Sequence, residues 1–328
     1  MFNPLYDGLF VACLVWPILA LVTAKLFGNP LGEKLGFLIA YFLIMPHRWI
    51  TLSLVFLDPV KFKQNARPFM YVATAIVGGV FITRASMGAL TLLLAIDFVW
   101  NAWHFAAQHG GIARIYDRMA HPDSGSTGMA DKVVLRTLVL FAIFRMAAGS
   151  LPSVDAGRAW LSWIPMVMEP LAYLDWVVLA LPLGLLAREA ALFGSAGKAA
   201  AGRITYLTSL TALYGLMILG VRYGHTGLSV GCAAAATFFH SVEYLAIVTW
   251  YVKKNKSLQE TKPFCYFIPR WAVALVTFMA ACLLSAFMFK HRFLHAWVLL
   301  NVIVSFMHYA YDGMIWKRPK KKTAVAAH

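Results

Sequence analysis

Ten apolar stretches of membrane-spanning length follow one another along this chain, at 8–27, 35–57, 69–86, 88–109, 133–150, 166–187, 203–221, 228–252, 270–289 and 294–316. One spanning helix needs about 20 predominantly apolar residues, and lipid tolerates only helices or closed barrels. Composition agrees, since 61% of the residues are hydrophobic and 13% are charged. A soluble domain runs nearer half apolar and a quarter charged. A soluble enzyme, a disordered chain and a β-rich secreted module are therefore excluded. The expected fold is an all-α polytopic bundle of about ten transmembrane helices, a single integral-membrane domain over 1–328 with a basic tail at 317–328.

The net charge of +15 follows from topology. With the N-terminus cytoplasmic, the loops and tail on that side hold 20 of the 29 lysines and arginines. Such an imbalance puts both termini inside and suits a bacterial inner membrane. The start, MFNPLYDGLF, lacks a basic region before its apolar run and reads as a first span, not a signal peptide. The tail segment WKRPKKK would attract anionic lipid headgroups, so membrane lipids are expected partners and nucleic acid is not. The loop 110–132 reads as a cytoplasmic connector. Cys13, Cys232, Cys265 and Cys282 are too widely spaced for a zinc knuckle or a disulfide framework, and read as small core residues.

Polar residues inside the spans carry the functional signal. Arg48, Asp97, Asp175, Glu243 and Asp312 fall within spans, and burying five charges without partners costs about 12–17 kcal/mol. Asp175 suits a structural pairing with Arg145. The others accompany histidines. His47, His104, His240 and His308 lie on helices running in one direction, at roughly 8–18 Å from their inner ends, so one level of the bundle can hold all four.

Spacing assigns partners to faces. His104 and Gln108 are four apart, Asp97 and His104 seven, His240 and Glu243 three, and His308 and Asp312 four, each within reach on one side of a helix. His104 and His109 are about 140° apart. Imidazoles with neighbouring oxygen ligands suit iron, one or two ions, through His47, His104, His240, His308 and Asp312. Glu243, Asp97 and Tyr244 are the candidate catalytic or orienting groups. Trp103, Phe105, Gln108, Phe239 and Tyr311 are expected to line an apolar substrate channel. For each histidine the plain alternative is a structural hydrogen bond to a carboxylate on another helix. His121, His225 and His328 read as solvated loop or tail residues, and His291 and His295 as interfacial.

At MPHRW (Met45–Trp49) and AWHFAAQ (Ala102–Gln108) the sequence resembles the Brp/Blh-like integral-membrane β-carotene dioxygenases. The resemblance implies a helical membrane enzyme that holds iron through histidines and cleaves a long polyene with dioxygen, with His47 and His104 at the matching positions. The family's glycine and acidic residue after Pro-His are replaced here by Arg48, Trp49 and Ile50. The expected function is thus a metal-dependent oxygenase or oxidoreductase acting on a lipid, isoprenoid or carotenoid that enters sideways from the bilayer. Two alternatives use the same residues: an ion-coupled transporter, and a haem protein, the latter disfavoured by the acids in the pocket.

Overall fold

The computed structural model describes residues 3–29, 45–87, 90–121, 128–150, 162–254, 280 and 293–316, and the statements that follow concern these. They contain helices and turns and no strand. Two short turns, Pro4–Tyr6 and a π-helical Asp7–Val11, lead into α1 (Trp16–Lys25). Cys13, at φ 45°, supplies the left-handed step between them. The chain continues through α2 (Met45–Phe56), α3 (Pro59–Met87), α4 (Thr91–Ala120) and α5 (Gly128–Ser150). After α6 (Trp163–Met168) and a 3-10 turn (Pro170–Leu174) come α7 (Asp175–Arg222), α8 (Thr226–Lys254) and α9 (Phe293–Ile315). Pro17 sits in the first turn of α1, where a missing N–H costs nothing. Asn65 is non-helical and breaks α3 into two limbs.

Six helices are long and apolar enough to cross a membrane: Pro4–Lys25, Phe62–Met87, Pro170–Leu192, Ala200–Arg222, Thr226–Lys254 and Ala296–Ile315. The chain is an integral membrane protein of helical-bundle type. Of the ten expected spans, 270–289 lies outside the described residues except for Ala280, and so does the first part of 35–57. The expected spans at 88–109 and 133–150 fall on α4 and α5, which are outside this set of six. The expected separation of 166–187 from 203–221 takes an unforeseen form, because helical backbone continues from Asp175 to Arg222. A straight helix of that length would put its ends about 70 Å apart. Arg222 nevertheless pairs with Asp175 at 3.1 Å, and Arg203 with Glu189 at 3.1 Å. A Cβ on Gly215 would lie 3.3 Å from Leu179. Pro170–Leu192 and Ala200–Arg222 are therefore two antiparallel limbs packed on each other.

Helix α8 is the axis of the bundle, with 72% of its spanning window buried. It packs on α1, on α7 and, more lightly, on α2, α4 and α5. Contact with α1 is close because Gly227 and Gly231 stand one turn apart, and a methyl group on Gly231 would collide with the Ala20 carbonyl. Two apolar cores result. One joins α1, α4, α5, α7 and α8 around Leu138, Leu210 and Phe239, and the other joins α2, α3 and α9 around Phe69, Phe306 and Tyr311. Polar residues of α2, α4, α8 and α9 meet at the seam between them.

Candidate metal centre

Four helices contribute one imidazole each to that seam. His47, His104, His240 and His308 are all buried, with at most 5% exposure. Ring centroids are 4.5 Å apart for His104 and His308, 4.9 Å for His104 and His240, 4.9 Å for His47 and His308, and 5.2 Å for His47 and His240. All four of these contacts are edge-on. Two triplets of ligand atoms lie within 4.8 Å: His47, His240 and His308, and His104, His308 and Asp312. His308 belongs to both, so the cluster can hold one or two ions.

The surroundings orient these rings. Thr51, one turn after His47 on α2, places its hydroxyl 2.6 Å from His308 Nδ1 and 2.5 Å from the Tyr244 hydroxyl. His308 Nε2 is thereby turned to His104 Nε2, 3.0 Å away. Two nitrogens at right angles about 2.1 Å from an ion would also stand about 3.0 Å apart. Tyr244 donates to Asp312 Oδ1 at 2.8 Å, leaving Oδ2 at 3.8 Å from His104 Nε2. Phe105 stacks on His240 at 3.8 Å. Neither ring nitrogen of His240 has a hydrogen-bond partner, although the residue is fully buried. A neutral imidazole carries one donor and one acceptor, and leaving both unmet in a dry interior is expensive. Coordination of an ion answers half of that deficit.

A cavity of about 890 Å³ opens beside the cluster and runs along α4, α8 and α9 toward their C-terminal ends. His104, Tyr244, Tyr309 and Asp312 close its deep end, Trp100, Trp103 and Trp250 form much of its wall, and Arg118 and Lys254 stand at the far end. Gln108 also borders it. Of the expected lining residues, Trp103 and Gln108 are therefore on the wall. Phe105, Phe239 and Tyr311 are not among its residues, for packing reasons. Phe105 is spent on His240, Phe239 packs against His109 and Tyr206, and Tyr311 lies between Phe56 and Phe69.

Two carboxylates expected near the histidines face elsewhere. Asp97 accepts a hydrogen bond from Tyr309 at 3.0 Å, in a group with Asn101, while Arg48 bonds Ser305 and lies 5.6 Å from the Tyr309 ring centroid. Glu243 turns to the other side of α8, where it accepts from Tyr206 at 2.5 Å and Gln108 at 2.7 Å and stands 3.1 Å from His109 Nδ1. His109 also meets Tyr206 and Tyr214, each at 3.1 Å. This histidine network went unassigned in the sequence. The eight-residue spacing of Tyr206 and Tyr214 on one helix was the available signal, because it sets both hydroxyls near one side.

A third buried polar group contains no metal-type geometry. Arg203, 1% exposed, bonds Asp117 and Asp131 and stands 3.1 Å from Glu189, while Arg188 pairs with Asp131 at 3.0 Å and Glu189 at 2.9 Å. His121 joins it through a 3.0 Å hydrogen bond to Glu189, so the expected solvated loop histidine is instead tied to this buried group. Asp175 is matched by Arg145 at 3.2 Å and by Arg222. Cys13 and Cys232 are buried and free; Cys265, Cys282, His291, His328 and the His295 side chain lie outside the described residues. No protein-family model, no curated protein and no solved structure matches this chain.

Proposed function

We propose that this protein is a membrane-embedded, metal-dependent oxygenase or oxidoreductase, with iron held by His47, His104, His240 and His308 and with Asp312 as an oxygen donor. The substrate class is a lipid or isoprenoid, and the motifs at Met45–Trp49 and Ala102–Gln108 extend this to carotenoid-like polyenes. The observation that carries the reading is His240: a buried imidazole, ringed by three others, with both nitrogens unpartnered. Hydrogen bonds of the kind that orient metal ligands support it, with Thr51 on His308 Nδ1 and Tyr244 on Asp312.

Bound iron supplies the redox chemistry, with dioxygen as oxidant. The chain's own residues do the rest. Thr51 holds the His308 ring in place, Tyr244 holds Asp312 with one oxygen directed to His104, and tryptophans give the cavity an apolar wall. The tight edge contacts among the four rings leave no slot for a flat macrocycle, which argues for a bare ion over haem. Ten spans, both termini on the cytoplasmic side and a bacterial inner membrane complete the proposal, on the charge asymmetry of the loops.

Elemental analysis with an absorption spectrum on purified full-length protein tests it. Stoichiometric iron without a Soret band is expected, together with its loss on replacing His104 or His240. Protein free of bound metal, with His104→Ala and His240→Ala both fully active, would overturn the reading, and a Soret band would replace it with haem. Uptake of solute into proteoliposomes by the metal-free protein would instead favour the transporter.

A further inference from the structure

The walls of the cavity say more about the ligand than the metal cluster does. On α4 the bordering residues recur as His104, Gln108, Gly111, Ile115 and Arg118, one turn after another along a single stripe. From His104 to Arg118 the helix rises about 21 Å. Parallel stripes run on α8 from Tyr244 to Lys254 and on α9 from Tyr309 to Trp316. The space is thus a long, largely apolar slot with charged side chains only at its two ends.

Those ends differ in charge. Asp312 stands at the deep end beside His104, whereas Arg118 and Lys254 stand at the outer end. Behind the α4 wall, Arg136 lies 4.7 Å from the ring centroid of Trp103 and beside Gly110, nearer the deep end, but it does not border the slot. Among the residues that do border it, the cationic side chains are confined to the outer end.

We infer that the slot takes a long-chain amphiphile with one anionic head, carboxylate or phosphate, the head at Arg118 and Lys254 and the chain laid along the tryptophans toward His104. The lining also gives direction, because Arg118 and Lys254, the arginine and lysine that border the slot, both stand at its outer end. A neutral polyene has nothing to offer Arg118 and Lys254, so this ligand class deepens the proposed function by selecting among lipids. The inference rests on that function only for the chemistry at the deep end, and binding can be read without it.

Trp100, Trp103, Trp250 and Trp316 border the slot, so a ligand brominated on its chain should quench tryptophan fluorescence. The full-length protein, in nanodiscs of zwitterionic lipid, is titrated with a brominated long-chain fatty acid, its methyl ester, a short-chain acid and a brominated lysophosphatidic acid. The measurement is made on as-purified and chelator-treated protein alike. Saturable quenching by the long-chain acid is expected, at least about tenfold tighter than by the ester, with no binding of the short-chain acid. The carboxylate and phosphate arms identify which head is preferred. Arg118→Gln with Lys254→Gln should weaken the acid about tenfold and leave the ester unchanged. Gly111→Leu, at a position where an added Cβ meets nothing within 4 Å, should block acid and ester together without loss of folding. Equal affinity of acid and ester, or acid binding untouched by both the charge-removing pair and Gly111→Leu, would overturn the inference. Acid binding that persists after chelator treatment keeps this inference whatever elemental analysis finds in the protein as purified, so the two readings fail separately.

Discussion

The histidine cluster and the Arg203 cluster are both buried, both polar and both assembled from distant parts of the chain, yet they are balanced in different ways. Around Arg203, each charge faces an opposite one: Asp117, Asp131 and Glu189 surround it, Arg188 pairs with Asp131 and Glu189, and His121 bonds Glu189, although Asp131 Oδ1 keeps no hydrogen-bond partner. The ionised groups find their counter-charges within the group. Among the imidazoles no comparable partner exists for His240, and Asp312 approaches the His104 and His308 nitrogens no nearer than 3.8 Å. Internal compensation marks a structural clamp. Its lack, in equally dry surroundings, marks a place that something else completes.

That contrast can be broken or sharpened experimentally. His240→Ala should have the largest effect, lowering bound metal by 100-fold or more on the order expected for a lost ligand, with thermal stability of the apo form little changed. Plasma emission spectrometry beside a melting curve reads both. Arg203→Ala should do the converse. Removing the cation leaves three carboxylates facing one another, a loss of about 3–5 kcal/mol, visible as a lower melting temperature in detergent with metal content per folded molecule unchanged. If either variant moved the other's observable, the division between the two clusters would fail.

Thr51→Val comes next. It removes the hydroxyl on His308 Nδ1 while keeping shape, and metal affinity should fall about 10- to 100-fold with the fold intact, as competition with a chelator would show. Glu243→Gln tests the middle case. Its contacts to Tyr206, Gln108 and His109 predict a stability loss of about 1–3 kcal/mol with no change in metal stoichiometry. His121→Ala should be the mildest, about 1 kcal/mol or less, since that pair lies at the edge of the Arg203 group and is partly open to water.

Much of this was legible in the sequence, and the misses have physical causes. Apolar length announced the helices, and depth along them placed four histidines near one level, because rise per residue is fixed. The pairing of Asp175 with Arg145 followed from both being charges in need of a partner. Rotation about a helix axis was harder. Glu243 is three residues from His240, about 60° away, and α8 is covered on every side, so the two residues find different neighbours. A lipid-exposed helix would have betrayed its inward face, whereas this one offers no such contrast. Phe105, next to His104, was expected on the channel wall but stacks on an imidazole from α8, a contact that spacing within α4 cannot specify. His121 looked solvated because its neighbours are polar, and only the return of α7 brings Glu189 beside it.

The order in which the imidazoles appear along the chain has its own consequence. His47 and His104 leave the ribosome early, His240 well after, and His308 last of the four. Since α9 supplies the residue common to both ligand triplets, neither triplet can exist until that helix has docked. In the proposed function, loading of the metal therefore waits for α9 and doubles as a report that it has reached its place.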